Sequence, residues 1–323
     1  MKAIIRDAYG PADVLRLGEV DKPVPGDDDV LLRVHAAGVD MGVWHLLEGV
    51  PYLMRPAIGF RKPRNPLIGN DIAGEVEAVG ADVTRFKPGD RVFGTCDAAF
   101  AEFVRTPQDR LVPIPENLTF EQAAALPTSG MTALTALRDA GKVRPGQQVL
   151  VIGAGGGVGT FAVQLAKAFD AEVTGVCSTS KVELVRSIGA DDIVDYTVED
   201  FADGKRRYDL IIDMASNRSL SHLRRALTPR GTFVIVGGEE GGRWLAGMDR
   251  LLRAVLLGPF VRHRPRVVFA FPKLELLETL AKLAEQGKIT PVVSKTFPLR
   301  ETPEAVRELA KGHARGKMVI TVK

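Results

Sequence analysis

Short apolar runs of strand length, broken by Gly, Pro and Asp, fill the first 120 or so positions: "DVLLRVHAAGV" (29–39), "DIAGEVEAVG" (71–80), "DRVFGT" (90–95) and "AEFVRT" (101–106). Runs of this kind predict a compact, mostly β region. From about residue 121 the pattern changes. "QVLVIGA" (148–154), "EVTGVCS" (172–178), "DIVDY" (192–196), "YDLIIDMA" (208–215) and "GTFVIVGG" (231–238) are separated by helix-patterned segments. That alternation predicts a parallel sheet with helical crossovers. In the helix after the first of these runs, Val158, Phe161, Ala162, Leu165, Ala166 and Phe169 recur at helical spacing, giving one stripe to face the sheet.

Near the end, "PKLELLETLAKLAEQGK" (272–288) reads as a helix that stops at Gly287. "ITPVVSKTFPL" (289–299) returns to β pattern, and "PEAVRELAKGHARGKMVITVK" (303–323) reads as a helix and a strand. We therefore expect a β-rich domain over 1–120, an α/β domain over 121–270 with 271–288 as its connecting helix, and a return of 289–323 to the first domain.

A chain of 323 residues suits two domains, or one threaded through the other. With 43 basic against 40 acidic residues the charge is too balanced for a nucleic-acid footprint across the whole chain. Two cysteines, Cys96 and Cys177, allow at most one disulfide. "MKAIIRDAYG" reads as a strand rather than a targeting signal, so the expected location is cytoplasmic. No apolar run reaches the roughly 18 residues of a bilayer span. The nearest, 244–271, is interrupted by Asp249, Arg250 and Arg253 and reads as a lid or subunit-contact segment, with a membrane-surface helix as the alternative. Within its end, "RVVFAFP" (266–272) is either a sheet edge that pairs with its copy in a homodimer or an internal strand.

The chemistry concentrates at Ala154-Gly155-Gly156-Gly157-Val158-Gly159. Between a strand and an amphipathic helix, missing side chains let backbone N–H groups and the helix N-terminus approach a pyrophosphate. Ala154 takes the place of the first glycine of the dinucleotide fingerprint. About 20 residues on, an acid would accept hydrogen bonds from the adenosine ribose and repel a phosphate on it. Here stand Ser178, Thr179, Ser180 and Lys181, neutral donors and a cation, which favour NADPH over NADH. The same hydroxyls are also good caps for the helix "SKVELVRSIGA", and the two roles can coexist.

In "PLIGNDIAGEVEAVG", "RFKPGDRVFG", "AAALPTSGMTALTAL", "GAGGGVGTFAVQLAK", "SIGADDIVDY" and "GHARGKMVITV" the chain resembles the medium-chain dehydrogenase/reductase superfamily, in its zinc-independent, quinone oxidoreductase-like branch. The resemblance spans almost the whole chain, with six motifs in the family's order. It implies an α/β fold: a doubly wound parallel (Rossmann) sheet inserted in a GroES-like β-rich substrate domain, with a cleft between them. It also implies that Thr128 and Thr132 lie near the nicotinamide, Tyr196 near the adenosine, and Val236 and Gly237 near the carboxamide. From the residues alone, the threonines are equally ordinary helix residues and Tyr196 a half-buried aromatic.

Zinc needs converging Cys, His and acidic ligands. The first ligand position of the zinc branch holds Asp40, its His-Glu pair is Asn70-Asp71, and residues 90–115 contain only Cys96, so no metal is expected. Without a Lewis acid, the remaining chemistry is hydride delivery to an electron-poor acceptor whose oxygen modest donors can stabilise. The resemblance places residues 38–55 over the nicotinamide. Asp40 stands where that branch usually has Asn, His45 where it often has Tyr, Val43 replaces its acid, and Tyr52 lies near another aromatic of the pocket. His45 and Tyr52 are the candidate donors at the substrate oxygen; each also reads as a packing residue, and Asp40 as a turn residue. "RPAIGFRKPRNP" (55–66) reads as a cationic loop, solvated or attracting an anionic substrate. The expected activity is NADPH-dependent reduction of quinones or α,β-unsaturated carbonyl compounds. Alternatives are an alcohol/aldehyde oxidoreductase, an enoyl-thioester reductase, or a catalytically silent NADPH-binding redox sensor.

Overall fold

The computed structural model describes residues 1–214, 218–236, 242–244, 263–268 and 271–322. Two compact units emerge, one formed by Met1–Met131 with Phe271–Lys323 and the other by Thr132–Ala270.

In the first unit β1 (Lys2–Ile5) and β2 (Arg16–Glu19) form an antiparallel pair. β3 (Asp29–Val39), β4 (Asp71–Val79), β5 (Arg91–Thr95), β6 (Phe103–Pro107) and β7 (Leu111–Pro113) enter a larger sheet, in which β3 pairs with both β4 and β6. Their inward residues, Val30, Leu32, Val34, Ile72, Val76 and Val92 among them, build its core. α1 (Met41–Glu48) follows β3 directly and buries Val43 and Leu47 in the same core. A turn of helix, α2 (Arg55–Ile58), lies in the cationic loop.

α3 (Phe120–Ala124) begins with a capping box in which Thr119 and Gln122 satisfy each other's backbone N–H groups. It packs on β3 and β4. Gly38 makes room for it, since a Cβ there would meet the Ala124 carbonyl oxygen at 2.5 Å. The expected boundary at 120 therefore moves: the chain passes to the second unit within α4 (Pro127–Leu134), after Met131.

Among the described residues the second unit holds a six-stranded parallel sheet of β8 (Gln148–Ile152), β9 (Glu172–Cys177), β10 (Asp192–Asp195), β11 (Tyr208–Asp213), β12 (Leu227–Ile235) and β13 (Arg264–Val267), in the order β10-β9-β8-β11-β12-β13. The order reverses between β8 and β11, the place where doubly wound sheets bind ligands beyond their carboxyl ends. α5 (Gly157–Ala168) leaves β8 there. Its Phe161, Ala162, Leu165 and Ala166 are fully buried as the stripe predicts, and Thr160, Val163 and Gln164 are buried too, so more than one face is enclosed. α6 (Val182–Ser187) and α7 (Leu220–Ala226) are the other described crossover helices. β10 and β13 are the edge strands among the described residues. Most of 244–271 lies outside them.

On return, α8 (Leu274–Glu285) buries Leu276, Leu277, Leu280 and Ala284. It belongs to the first unit, not to the nucleotide domain as 271–288 was expected to. It packs beside β7, the Asn117 side-chain amide donates to the Ala284 carbonyl at 2.8 Å, and Arg85 pairs with Glu278 at 3.3 Å. β14 (Val293–Pro298), α9 (Thr302–Ala310) and β15 (Lys317–Thr321) then complete a seven-stranded sheet, β14-β15-β3-β4-β5-β7 with β6 on β3. Residues 289–323 lie in the first unit.

Candidate functional site

In the second unit β8 ends in a turn built on glycines three residues apart. Gly153 has φ +83°, a conformation that favours glycine, and its carbonyl accepts from the Gly156 N–H at 3.1 Å. Gly156 caps α5 with extended backbone. Gly159 is needed for close approach, because a Cβ there would stand 2.1 Å from the Gly153 oxygen. The tight turn is thus made by Gly153, not at Ala154, which is buried with its N–H on the Val176 carbonyl. Spacing was the signal: Gly153, Gly156 and Gly159 share a period of three that the reading from Ala154 passes over. Gly155, Gly157 and Val158 line the same turn, and α5 opens with the unpaired N–H groups that every helix start presents.

Beyond β9, Lys181 lies alongside this turn: a Cβ on Gly155 would meet its Cδ at 2.8 Å and its Cβ at 3.0 Å. The hydroxyls at the strand end are engaged locally. Ser178 and Ser180 share a hydrogen bond of 3.3 Å, and Thr179 donates to the Asp195 carboxylate at 2.5 Å and meets the Thr197 hydroxyl at 3.0 Å. Asp195 is a residue the sequence reading missed. It ends β10 in register with Cys177, so parallel pairing brings an acid to the edge of the cluster. Hydrogen bonds from Thr179 and Thr197 hold its carboxyl below the usual range. Burial, helped by Asp195, pushes the Cys177 thiol up to about 11. Tyr196 follows, half exposed, its N–H on the Cys177 carbonyl. Val236 extends β12 with its N–H on the Asp213 carbonyl at 3.0 Å. Thr132 sits half-buried in α4, and Gly237 lies outside the described residues.

The first unit brings a second set of polar groups together. Asp40 caps α1, accepting from the Val43 N–H at 3.1 Å through Oδ1, while its buried Oδ2 has no hydrogen-bond partner. His45 follows in α1, half-buried at the edge of the Trp44 ring. Burial lowers its pKa, against the opposing pull of Asp40. A neutral imidazole at pH 7 follows, which can give a hydrogen bond but is not charged ahead of the reaction. Tyr52 opens the helical turn 52–54 that follows α1, and the Arg55 guanidinium covers its ring at 4.2 Å and the Tyr9 ring at 4.8 Å. The cationic loop is partly stapled, with Arg55 donating to the Gly49 carbonyl, Arg64 to the Pro56 carbonyl and Tyr9 to the Gly59 carbonyl. Arg61 and Lys62 remain exposed.

Asp71, fully buried on β4, receives two hydrogen bonds on Oδ1, from the Thr128 N–H at 3.1 Å and the Thr128 hydroxyl at 2.5 Å. Lys317 of β15, also buried, faces its Oδ2 at 3.7 Å. Burial raises Asp71 to about 7, opposed by Lys317, assisted by Asp40 and opposed again by the bonds from Thr128.

With a GroES-like sheet domain and a doubly wound nucleotide sheet on the same chain, the comparisons with known proteins point one way. A family model described as the alcohol dehydrogenase GroES-like domain matches residues 26–116, and one described as zinc-binding dehydrogenase matches 188–320. The mitochondrial NAD(P)H oxidoreductase RTN4IP1 of Bos taurus is 34% identical across 100% of this chain and 89% of its own length. The quinone oxidoreductase of Mus musculus is 32% identical, across 99% and 97%. The solved quinone oxidoreductase of Coxiella burnetii matches with a TM-score of 0.85 at 30% identity, covering 100% of this chain and 99% of that one. The chain belongs to the medium-chain dehydrogenase/reductases, in their quinone oxidoreductase-like branch.

As a medium-chain dehydrogenase/reductase it is an oxidoreductase with a dinucleotide-binding domain, and the glycine turn fits that coenzyme. Zinc does not fit its residues. Asp40 gives one carboxylate oxygen to the start of α1 and Asp71 gives one to Thr128. Cys96 is buried, and that burial pushes its thiol up to about 12. Among the described residues no three His, Cys, Asp or Glu are grouped to hold a metal ion.

Proposed function

We propose that this oxidoreductase is NADPH-dependent and zinc-independent, and passes hydride to the electrophilic carbon of quinones or α,β-unsaturated carbonyl compounds. The observation that carries the reading is Lys181, packed along Gly155 at the end of β9 where a ribose-binding acid would otherwise stand. The lysine and the Ser178 and Ser180 hydroxyls form a setting in which a phosphate on the ribose is attracted rather than repelled. Thr179 borders that setting, its hydroxyl proton given to Asp195. Bound at the glycine turn, the coenzyme supplies the hydride. The chain's own residues bind and orient: Gly153, Gly156 and Gly159 admit the pyrophosphate, Thr128 and Thr132 flank the nicotinamide, Tyr196 borders the adenosine, and Val236 borders the carboxamide. At the acceptor oxygen Tyr52 and neutral His45 donate hydrogen bonds, stabilising the developing negative charge and passing a proton drawn from solvent. Asp40 fixes the start of α1 and so the position of His45.

Asp195 favours a second reading, use of NADH, because a carboxylate beside Thr179 opposes a phosphate there. Oxidation of NADPH and of NADH by the purified protein, against a panel of quinones, enones, aldehydes and enoyl thioesters with a chelator as control, tests both. Faster turnover of NADPH with quinones or enones, unaffected by chelator, is the expected result. Preference for NADH selects the second reading, and turnover only with an aldehyde or crotonyl-CoA overturns the substrate class. Tight binding without oxidation by any acceptor would reveal a silent sensor.

The same reading places the protein in a reducing, cytoplasmic setting, supported by Cys96 and Cys177 being buried free thiols. Among the described residues no helix is long and apolar enough to cross a membrane. We also infer a homodimer joined through the edge strand β13; sedimentation as a monomer at micromolar concentration removes that proposal.

A further inference from the structure

A cavity of about 300 Å³ opens in the second unit toward the starting ends of its strands. Gln147, on its wall, precedes β8, whereas the glycine turn follows β8; the five residues of that strand, at about 3.3 Å each, put roughly 16 Å between the two places. Five cations line the cavity, Lys142, Arg144, Arg230, Arg264 and Arg266, against one acid, Asp209. Asp209 is tied into the wall, accepting from the Gln148 N–H at 3.1 Å and the Thr228 hydroxyl at 3.2 Å. On the same sheet Lys167 is neutralised by Asp191 and Arg206 by Asp192. Among the described residues the side chains of the five cations find no carboxylate and no hydrogen-bond acceptor. Gathering like charges costs stability that a bound anion offsets.

The backbone is shaped to bring them together. Between its pairings with Tyr208 and Leu210, β12 advances from Leu227 to Thr232, and this bulge carries Arg230 to the cavity. Gly231 lets the bulge fold closely, since a Cβ there would stand 2.8 Å from Leu227 Cδ2 and 3.0 Å from the Tyr208 carbonyl oxygen. Arg264 and Arg266, two apart on β13, share one face of the sheet. Lys142 follows the helical segment Thr135–Ala140 with φ +52°, a conformation that favours glycine, although Gly141 beside it has φ −76°. The strained position is held by the cation.

We propose that this cavity is a second anion site, which takes a compact diphosphate, either free pyrophosphate or the diphosphate of a nucleotide. Charge sets the number of phosphates. Five cations and Asp209 leave a net charge of +4, and one phosphate monoester brings only about −1.5 to −2 at pH 7. Two phosphoryl groups come close to matching it, and guanidinium forks grip their oxygens in pairs. No aromatic side chain lines the cavity for a base to stack on, so it recognises the phosphates themselves rather than a nucleic-acid strand. The site is separate from the glycine turn and does not depend on which coenzyme that turn takes.

Calorimetric titration of the full chain with inorganic pyrophosphate, inorganic phosphate and ADP tests the site. The wild type binds pyrophosphate about tenfold or more tightly than phosphate, the worth of one added charge-assisted hydrogen bond. Arg144→Gln combined with Arg266→Gln weakens pyrophosphate by about tenfold or more. Both side chains are exposed, so the double variant melts like the wild type; should it not, Arg230→Gln alone lowers the affinity by about tenfold. Gly156→Ala, which alters the coenzyme turn, leaves pyrophosphate binding in the cavity unchanged. ADP that binds like pyrophosphate assigns a nucleotide as the source, and ADP refused while pyrophosphate binds assigns the free ion; both support the site. Affinity lost in Gly156→Ala yet kept in the arginine variants puts the anion on the coenzyme turn and overturns the proposal. Equal affinity for phosphate and pyrophosphate overturns it too, as does tighter binding of a short RNA than of pyrophosphate, or a wild type that binds no pyrophosphate at millimolar concentration.

Discussion

One methyl group on Gly159 tests whether the coenzyme turn depends on the close approach of α5 to β8. A Cβ at this position would stand 2.1 Å from the Gly153 carbonyl oxygen and 2.9 Å from the Ala154 backbone. The first distance is roughly 1.3 Å inside the 3.4 Å at which ordinary contact begins. The Gly153 carbonyl is held by the Gly156 N–H at 3.1 Å, a bond that would have to yield if it swung aside. Relief has to come from α5, whose Phe161, Ala162 and Leu165 are fully buried and resist displacement. Overpacking of this kind costs about 1–3 kcal/mol. At about 2–4 °C per kcal/mol for a domain of this size, Gly159→Ala lowers the melting temperature by roughly 2–12 °C. Gly156→Ala is the internal control. Its Cβ would meet only the Gly153 oxygen, at 3.4 Å, and its φ of −92° suits any residue. That variant melts within roughly 2 °C of the wild type, but its methyl stands where the pyrophosphate approaches, and NADPH affinity falls by about tenfold with the loss of a charge-assisted hydrogen bond. Thermal melts and fluorescence titration of NADPH read the two effects separately. A Gly159→Ala protein that melts like the wild type, or a Gly156→Ala protein that binds NADPH unchanged, would refute the reasoning.

Three further outcomes follow from the same geometry. Lys181→Ala lowers the ratio of NADPH to NADH turnover by roughly five- to tenfold, whereas Asp195→Asn raises it; steady-state kinetics with both coenzymes check the pair, and parallel changes in the two variants would contradict the assigned charges. His45 has a lowered pKa in the folded chain, so it costs nothing above the unfolded value of about 6.5. As pH falls through that value the unfolded chain takes up a proton that the buried ring refuses, and stability is lost. Urea denaturation at pH 7.5 and 5.5 therefore shows a smaller acid loss in His45→Gln than in the wild type, and equal losses would show that the ring is not responsible. Asp40→Ala removes the cap of α1 and destabilises by about 1 kcal/mol, while Asp40→Asn, which keeps an acceptor, loses less; equal melting of the two variants argues against a capping role.

Much of this molecule could be read from its residues because local pattern and tertiary fold agree. Apolar strands followed by helical stripes can form little but a parallel doubly wound sheet, and Phe161, Ala162, Leu165 and Ala166 are buried as that pattern requires. What escaped depends on geometry that spacing does not encode. The positive φ that makes Gly153 the turning residue is invisible beside a run of glycines. Asp195 reaches the Ser178–Lys181 cluster only through the register of β10 on β9. α8 announces by its pattern that it buries one face, but not which surface receives it; Asn117 and Arg85 decide that. Asp71 was legible as a missing metal ligand, yet its hold on Thr128 required β4, α4 and β15 to be brought together.

The order of synthesis follows from the pairing of β3 with β15. The ladder from Val39 and Met318 to Ala36 and Thr321 closes one side of β3 with residues from the far end of the chain. A ribosome delivers the whole parallel sheet as one uninterrupted stretch, and that unit can condense while the earlier sheet still lacks a strand. Until β15 emerges, the backbone of Ala36–Val39 is an open margin able to template unwanted β pairing.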